Sequence, residues 1–242
     1  IKAQEIFKNI GSASILMNVN TGAILSMVSL PDFDLNKREK INDVNYINRA
    51  TKGVYELGSV FKTFTFAAGL NEGEIEPETP FIDLEKKIYC AGRPIGEYDD
   101  KIPTDLTAEQ ILIRSGNIGS VRIGQKIGEE KFKNFLQNIG VLNKIKFDIE
   151  EVGKPISFRW GKCKLATASF GHGITTTPLQ LAKGYSIITN GGYDIKPTLI
   201  KKNIKNITKK RKRFLKKGIS KKVNIVLRKI VSTEEGTAGF AN

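Results

Sequence analysis

One Ser-x-x-Lys occurs in the chain, Ser59-Val60-Phe61-Lys62, and it opens an apolar helical stretch through Phe64 and Phe66 to Ala67-Ala68-Gly69-Leu70. Residues three apart share a helix face, so the hydroxyl and the amine can meet. A serine hydroxyl is a poor nucleophile until a neighbouring base takes its proton. A lysine can be that base only where burial or nearby positive charge lowers its pKa. The apolar residues around Lys62 supply such a setting. A plainer account fits the same residues: Ser59 as a helix N-cap and Lys62 in solvent. Either way the pattern predicts a helix from Ser59 to Asn71, stopped near Gly73.

A second polar motif follows. Ser115-Gly116-Asn117 is the sole Ser-x-Asn, and it falls between two helical patterns. Thr107-Ala108-Glu109-Gln110 has capping-box form and opens the apolar run Ile111-Leu112-Ile113. Ile118-Gly119-Ser120-Val121 begins the next pattern. A serine and an amide held there can relay a proton and hydrogen-bond a substrate amide. A polar helix–helix turn is the plainer account.

Together these residues resemble the penicillin-binding transpeptidases, whose boxes are Ser-x-x-Lys, Ser-x-Asn and Lys-Thr-Gly. Further family-like segments come in the expected order: Thr21-Gly22-Ala23-Ile24-Leu25-Ser26-Met27-Val28-Ser29, Asn48-Arg49-Ala50, Tyr55-Glu56-Leu57-Gly58-Ser59, and Phe170-Gly171-His172-Gly173 before Thr176-Thr177-Pro178-Leu179. They are most similar to the class B, monofunctional branch of division and elongation transpeptidases. The third box is missing, since no Lys-Thr-Gly or Lys-Ser-Gly occurs. Glu235-Gly236-Thr237-Ala238-Gly239 resembles the segment that precedes it. The expectation is one transpeptidase domain over residues 1–242, cut before that strand, with an N-terminal anchor and pedestal upstream of Ile1.

The resemblance implies an α+β, serine β-lactamase-like fold with helices against an antiparallel sheet. It implies Ser59 as nucleophile, Lys62 as base, Ser115 as proton relay, and Asn117 as the residue that positions the substrate amide and Lys62. It implies a peptidoglycan stem peptide ending in D-Ala-D-Ala as substrate and β-lactams as trapping ligands. A cell-wall synthesis complex at the bacterial inner membrane, with the catalytic domain on the periplasmic side, is the implied setting. One rival is a serine β-lactamase-like hydrolase, which must deacylate, and no Glu-x-x-x-Asn arrangement of the class A kind is expected to serve. Another is a non-catalytic, degenerate transpeptidase acting as a scaffold.

At 242 residues and 40% hydrophobic, the chain can bury a sizeable core. It holds no apolar run of roughly 18 residues that would predict a transmembrane helix, and Ile1-Lys2-Ala3-Gln4-Glu5 does not read as a signal peptide. With one histidine, His172, and the two cysteines Cys90 and Cys163, no metal site is expected, and no cofactor loop is evident. The distant spacing of the cysteines does not argue for a disulfide. His172 is expected to be structural or to line the substrate site.

Formal charge is +14, and the stretch from Lys196 to Lys229 holds 15 Lys or Arg with no Asp or Glu. No aromatic interleaving or nucleic-acid motif accompanies it, so nucleic acid is not expected. A solvated lysine-rich face is the plain reading, and an anionic lipid surface is the alternative.

Strands are predicted over 15–19 and 23–28, joined at Asn20-Thr21-Gly22. Loops with short strands are predicted over 73–104, and helices over 107–139 with breaks at Ser115 and Gly128. Further helices are predicted from Thr177-Pro178 to Asn190 and from Ser220 to Thr233.

Overall fold

The computed structural model describes residues 11–34, 36–37, 46–156, 158–200 and 211–241. The start at Ile1-Lys2-Ala3-Gln4-Glu5, part of the basic run at 201–210, and Asn242 lie outside the described residues.

The predicted hairpin forms. Strand β1 (Ser12–Met17) pairs antiparallel with β2 (Ile24–Leu30), Ser12 lying opposite Leu30. Asn18 closes the turn, its side-chain oxygen accepting from the backbone N–H groups of Asn20 and Thr21 at 2.9 and 3.0 Å. Three short antiparallel ladders follow: β3 (Tyr55–Glu56) with β8 (Thr175–Thr176), β4 (Pro80–Phe81) with β7 (Leu106–Thr107), and β5 (Lys87–Cys90) with β6 (Arg93–Gly96). The last is a two-residue hairpin whose turn residues, Ala91 and Gly92, both take positive φ, the geometry that matches strand twist.

Seven α-helices stand among the described residues: α1 (Lys62–Glu72), α2 (Ala108–Ile113), α3 (Asn117–Ile127), α4 (Glu129–Asn138), α5 (Lys162–Ser169), α6 (Pro178–Thr189) and α7 (Ile219–Ser232). Local chemistry sets their ends. Thr107 and Thr177 each make a full capping box, with Gln110 and Gln180 as the reciprocal partners. Gly73 ends α1 in the left-handed conformation. These elements form the expected α+β fold.

Helix α1 is the centre of the core. Every residue from Lys62 to Asn71 is buried, as for a helix apolar on all sides. Helices α2, α3, α4 and α7 pack around it. The basic face of α7 is partly neutralised, Lys222 by Glu76 and Lys229 by Glu109. Nearby, Arg213 lies 5.3 Å from the centre of the Tyr193 ring.

The expectation about the cysteines is overturned. Cys90 and Cys163 form a disulfide with their Cα atoms 5.4 Å apart. Their separation of 73 residues was a poor guide, because closure entropy grows only with the logarithm of loop length. The hairpin carries Cys90 to its tip, against the start of α5, and the bond ties the two together.

Candidate active site

The turn before α1 is a 3-10 helix, Gly58–Phe61, so Ser59 sits one tight turn ahead of the α-helix that begins at Lys62. The plainer account fails at both residues. Neither Leu57 nor Phe61, the residues at the two helix starts, is joined by a side-chain cap, and Ser59 caps nothing. Lys62 is only 1% exposed.

Two contacts fix the Ser59 turn from outside. Tyr185 of α6 donates its phenol to the Val60 carbonyl at 2.5 Å, and the same oxygen lies 2.9 Å from Thr63 Oγ1. Burial pushes this phenol above its usual pKa, the Thr63 contact opposing. On the other side Gly171, at φ +85°, lies so close that a Cβ there would stand 2.0 Å from the Gly58 carbonyl oxygen. Only glycine allows that approach.

Ser115 has an unusual backbone. Its N–H bonds to the Leu112 carbonyl at 3.1 Å, and the Gly116 N–H bonds to the Ile111 carbonyl at 2.8 Å. This pair closes α2 as a Schellman motif, with Ser115 in the position that glycine usually takes. Its φ is +56°, a conformation that costs a non-glycine residue about 1–2 kcal/mol. Lys62 supplies the compensation. Its Nζ donates to the Ser115 carbonyl at 2.5 Å and lies 2.9 Å from Ser115 Oγ.

Burial lowers the Lys62 pKa from 10.5 to about 8, with the negative charge of Glu97 pulling the other way. A buried amine near neutrality is what a proton acceptor at this position requires.

The structure therefore joins Lys62 with Ser115. Ser59 is exposed, and among the described residues its hydroxyl has no hydrogen bond to Lys62 or Ser115. Asn117 begins α3 and donates its amide to the Gly96 carbonyl at 2.8 Å. Its side-chain oxygen takes no hydrogen bond among the described residues, leaving an acceptor open.

The groove beside this centre has a volume of about 1040 Å³. It runs from Gly96 on the hairpin to the Phe170–Gly173 loop, over Trp160 and the disulfide. His172 lines it, stacked on Phe170 with its Nδ1 3.3 Å from Glu56 Oε2. Lys164 donates to the Gly173 carbonyl and sits 4.2 Å from the centre of the Phe158 ring. Burial lowers the Lys164 pKa, opposed by Glu56.

Sequence reasoning missed two participants. Tyr185 gave no signal beyond its place in an apolar helix. Glu97 lay in a stretch read as loop. The reading on Glu-x-x-x-Asn also needs correction. The spacing does occur, at Glu130 and Asn134 of α4, but both side chains are exposed on that helix. A second instance, Glu5 and Asn9, lies outside the described residues.

Residues 12–241 match the family described as the penicillin binding protein transpeptidase domain. The chain belongs to that family. The chain is 32% identical over 239 residues to the probable peptidoglycan D,D-transpeptidase FtsI of Caulobacter vibrioides, covering 98% of this chain and 40% of that protein. It is 30% identical over 243 residues to the probable peptidoglycan D,D-transpeptidase PenA of Neisseria flavescens, covering 99% and 58%. These relatives agree with the class B branch. The transpeptidase domain of Burkholderia pseudomallei penicillin-binding protein 3 superposes with a TM-score of 0.83 at 25% identity, covering 100% of this chain and 68% of that one. The chain thus spans from 40% to 58% of the length of the two curated relatives. Among the described residues no helix is long and apolar enough to cross a membrane.

Proposed function

We propose that this penicillin-binding domain carries out D,D-transpeptidation through an acyl-enzyme on Ser59. The observation that carries the reading is the buried Lys62 amine held against Ser115 at the foot of the turn that presents Ser59. In the step we infer, neutral Lys62 takes the proton of Ser59, and the serine oxygen attacks the penultimate D-alanyl carbonyl of a peptidoglycan stem peptide. The carbonyl carbon gains the Ser59 oxygen and loses the terminal D-alanine nitrogen. Ser115, within reach of Lys62, returns the proton to that leaving amine. An acceptor amine from a second stem peptide then takes the acyl group and frees Ser59.

Asn117 is suited to hold the substrate amide N–H, because its own N–H already supports Gly96 while its carbonyl is open. The Ser59 backbone N–H is one oxyanion donor in this scheme. A second donor, and a lysine for the substrate carboxylate, are assigned to a Lys-Thr-Gly strand, which these 242 residues do not contain. The chain spans 40% and 58% of the two curated relatives, so the activity is proposed for the whole protein. One missing oxyanion donor costs roughly two to three orders of magnitude in rate. We place the domain on the periplasmic side of the inner membrane, within a cell-wall synthesis complex. The Cys90–Cys163 bond supports an oxidising compartment.

The test is labelling of the full-length protein with a fluorescent penicillin, beside Ser59→Ala. Label that needs Ser59 and persists for hours is the expected result. Label lost within seconds to minutes would point to a hydrolase, and no label in either protein would leave only a scaffold.

A further inference from the structure

Helix α3 carries the Ser-x-Asn motif at its entry, and its start is capped from outside. The N-cap residue is Gly116, which has no side chain to receive the first free N–H groups. They are received by Glu97, the residue just after β6. Glu97 Oε2 accepts from the Asn117 N–H at 2.6 Å, and Oε1 accepts from the Ile118 N–H at 2.9 Å. One carboxylate thus spans the first two N–H groups of the helix, at its electropositive end. The preceding residue, Gly96, takes the Asn117 side-chain amide. Two consecutive residues therefore fix both the backbone and the side chain of Asn117.

From this geometry we infer that Glu97 is a positioning residue of the transpeptidase reaction, acting on Ser115 and Asn117 through the backbone of α3. The inference rests on the function proposed above. Three features make Glu97 more than a generic cap. First, it lies 20 residues from Asn117 in sequence, so it couples the hairpin to the motif. Second, that hairpin is itself anchored, through the Cys90–Cys163 bond, to the helix that leads into the Phe170–Gly173 loop. Third, Glu97 is the carboxylate whose charge acts on Lys62. On the helices packed against α1, Glu109 is bound by Lys229, Arg122 by Glu85, Lys131 by Glu74 and Lys222 by Glu76. Beside Glu97, Tyr98 donates its phenol to the Arg114 carbonyl, and Arg114 is paired with Glu235.

Glutamine cannot replace this carboxylate. It offers one acceptor oxygen, so its NH2 group would face one of the two backbone N–H donors. It also removes the charge that favours protonated Lys62. The neutral variant therefore separates two effects. Loosening the motif lowers the limiting acylation rate, and losing the charge moves the Lys62 titration to lower pH.

The test measures the rate constant of acylation by fluorescent penicillin against pH for full-length wild type, Glu97→Gln and Glu97→Asp. For Glu97→Gln the expected plateau is lower by at least about tenfold, with the acid limb moved towards lower pH. For Glu97→Asp, which keeps the charge, the limb stays in place and the rate loss is smaller. The limb position does not depend on how much protein is folded, so partial misfolding cannot imitate the result. An unchanged rate and limb in Glu97→Gln overturns the inference. So does a rate loss in both variants with the limb unmoved, which is the mark of a merely structural support. If wild type takes no Ser59-dependent label, the transpeptidase reading itself fails, and the inference falls with it.

Discussion

Raising the pH from about 6 to about 10 should switch the buried Lys62 amine from charged to neutral. Lys62 has a pKa of about 8 in place of 10.5 because its amine is removed from water. That shift corresponds to about 3 kcal/mol against the charged form. At pH 7 an amine with a pKa of about 8 is roughly 9% neutral, whereas one with a pKa of 10.5 is roughly 0.03% neutral. Burial therefore raises the population of neutral Lys62 amine by roughly 300-fold at neutral pH. If neutral Lys62 is the proton acceptor, acylation should climb about tenfold per pH unit below 7 and level off above 9. The assay is the second-order rate constant for penicillin acylation, by stopped flow or quenched labelling, across this range. A profile flat from pH 6 to 9 would refute the assignment, as would a rate still climbing tenfold per unit between pH 9 and 10. Stability gives an independent check with a definite sign. The folded chain releases the Lys62 proton near pH 8 and the unfolded chain near 10.5. Over that window the unfolded state binds more protons, so the Lys62 contribution makes the fold more stable as pH rises, by up to about 3 kcal/mol.

Two further perturbations probe the supports. Ser115→Gly should leave stability within about 1 kcal/mol of wild type, because relief of the left-handed backbone offsets the lost hydroxyl contact. Its acylation rate should nevertheless fall by about 100-fold or more if the hydroxyl relays a proton; a rate near wild type, measured on the folded variant, would remove Ser115 from the mechanism. Cleaving the Cys90–Cys163 bond frees a closed loop of 73 residues, for which chain entropy alone gives a loss of about 4 kcal/mol. Urea unfolding with and without reductant should show a clearly lower midpoint after reduction, and an unchanged midpoint in protein with free thiols would contradict that account.

The parts of the molecule legible in the sequence are those decided within one turn of chain. Thr107 with Gln110 was readable as a capping box and Thr177-Pro178 as a helix start, and both helices begin there. Gly73 was readable as a helix end for the same reason. The Ser-x-x-Lys and Ser-x-Asn boxes were readable as chemistry, but their meeting was not. Lys62 reaches Ser115 across 53 residues, and only the packing of α3 on α1 brings them together. The left-handed backbone of Ser115 was hidden because serine gives no sign of it, where a glycine would have. Glu97 was invisible for a related reason: it caps a helix that begins 20 residues later, while cap signals are sought beside the helix. The cysteines misled because their spacing was judged along the chain, although the β5–β6 hairpin presents Cys90 at its tip and β6 and α5 both pack on α3, which brings Cys163 to it.

The central claim is that Ser59 becomes acylated, and peptide mapping tests it most directly. Full-length protein is incubated with penicillin, digested, and sequenced by tandem mass spectrometry. The account predicts a single penicilloyl adduct on the peptide containing Gly58-Ser59-Val60-Phe61-Lys62, assigned by fragmentation to Ser59 and absent from Ser59→Ala. An adduct on Ser115 or any other residue, or one that survives in Ser59→Ala, would contradict it.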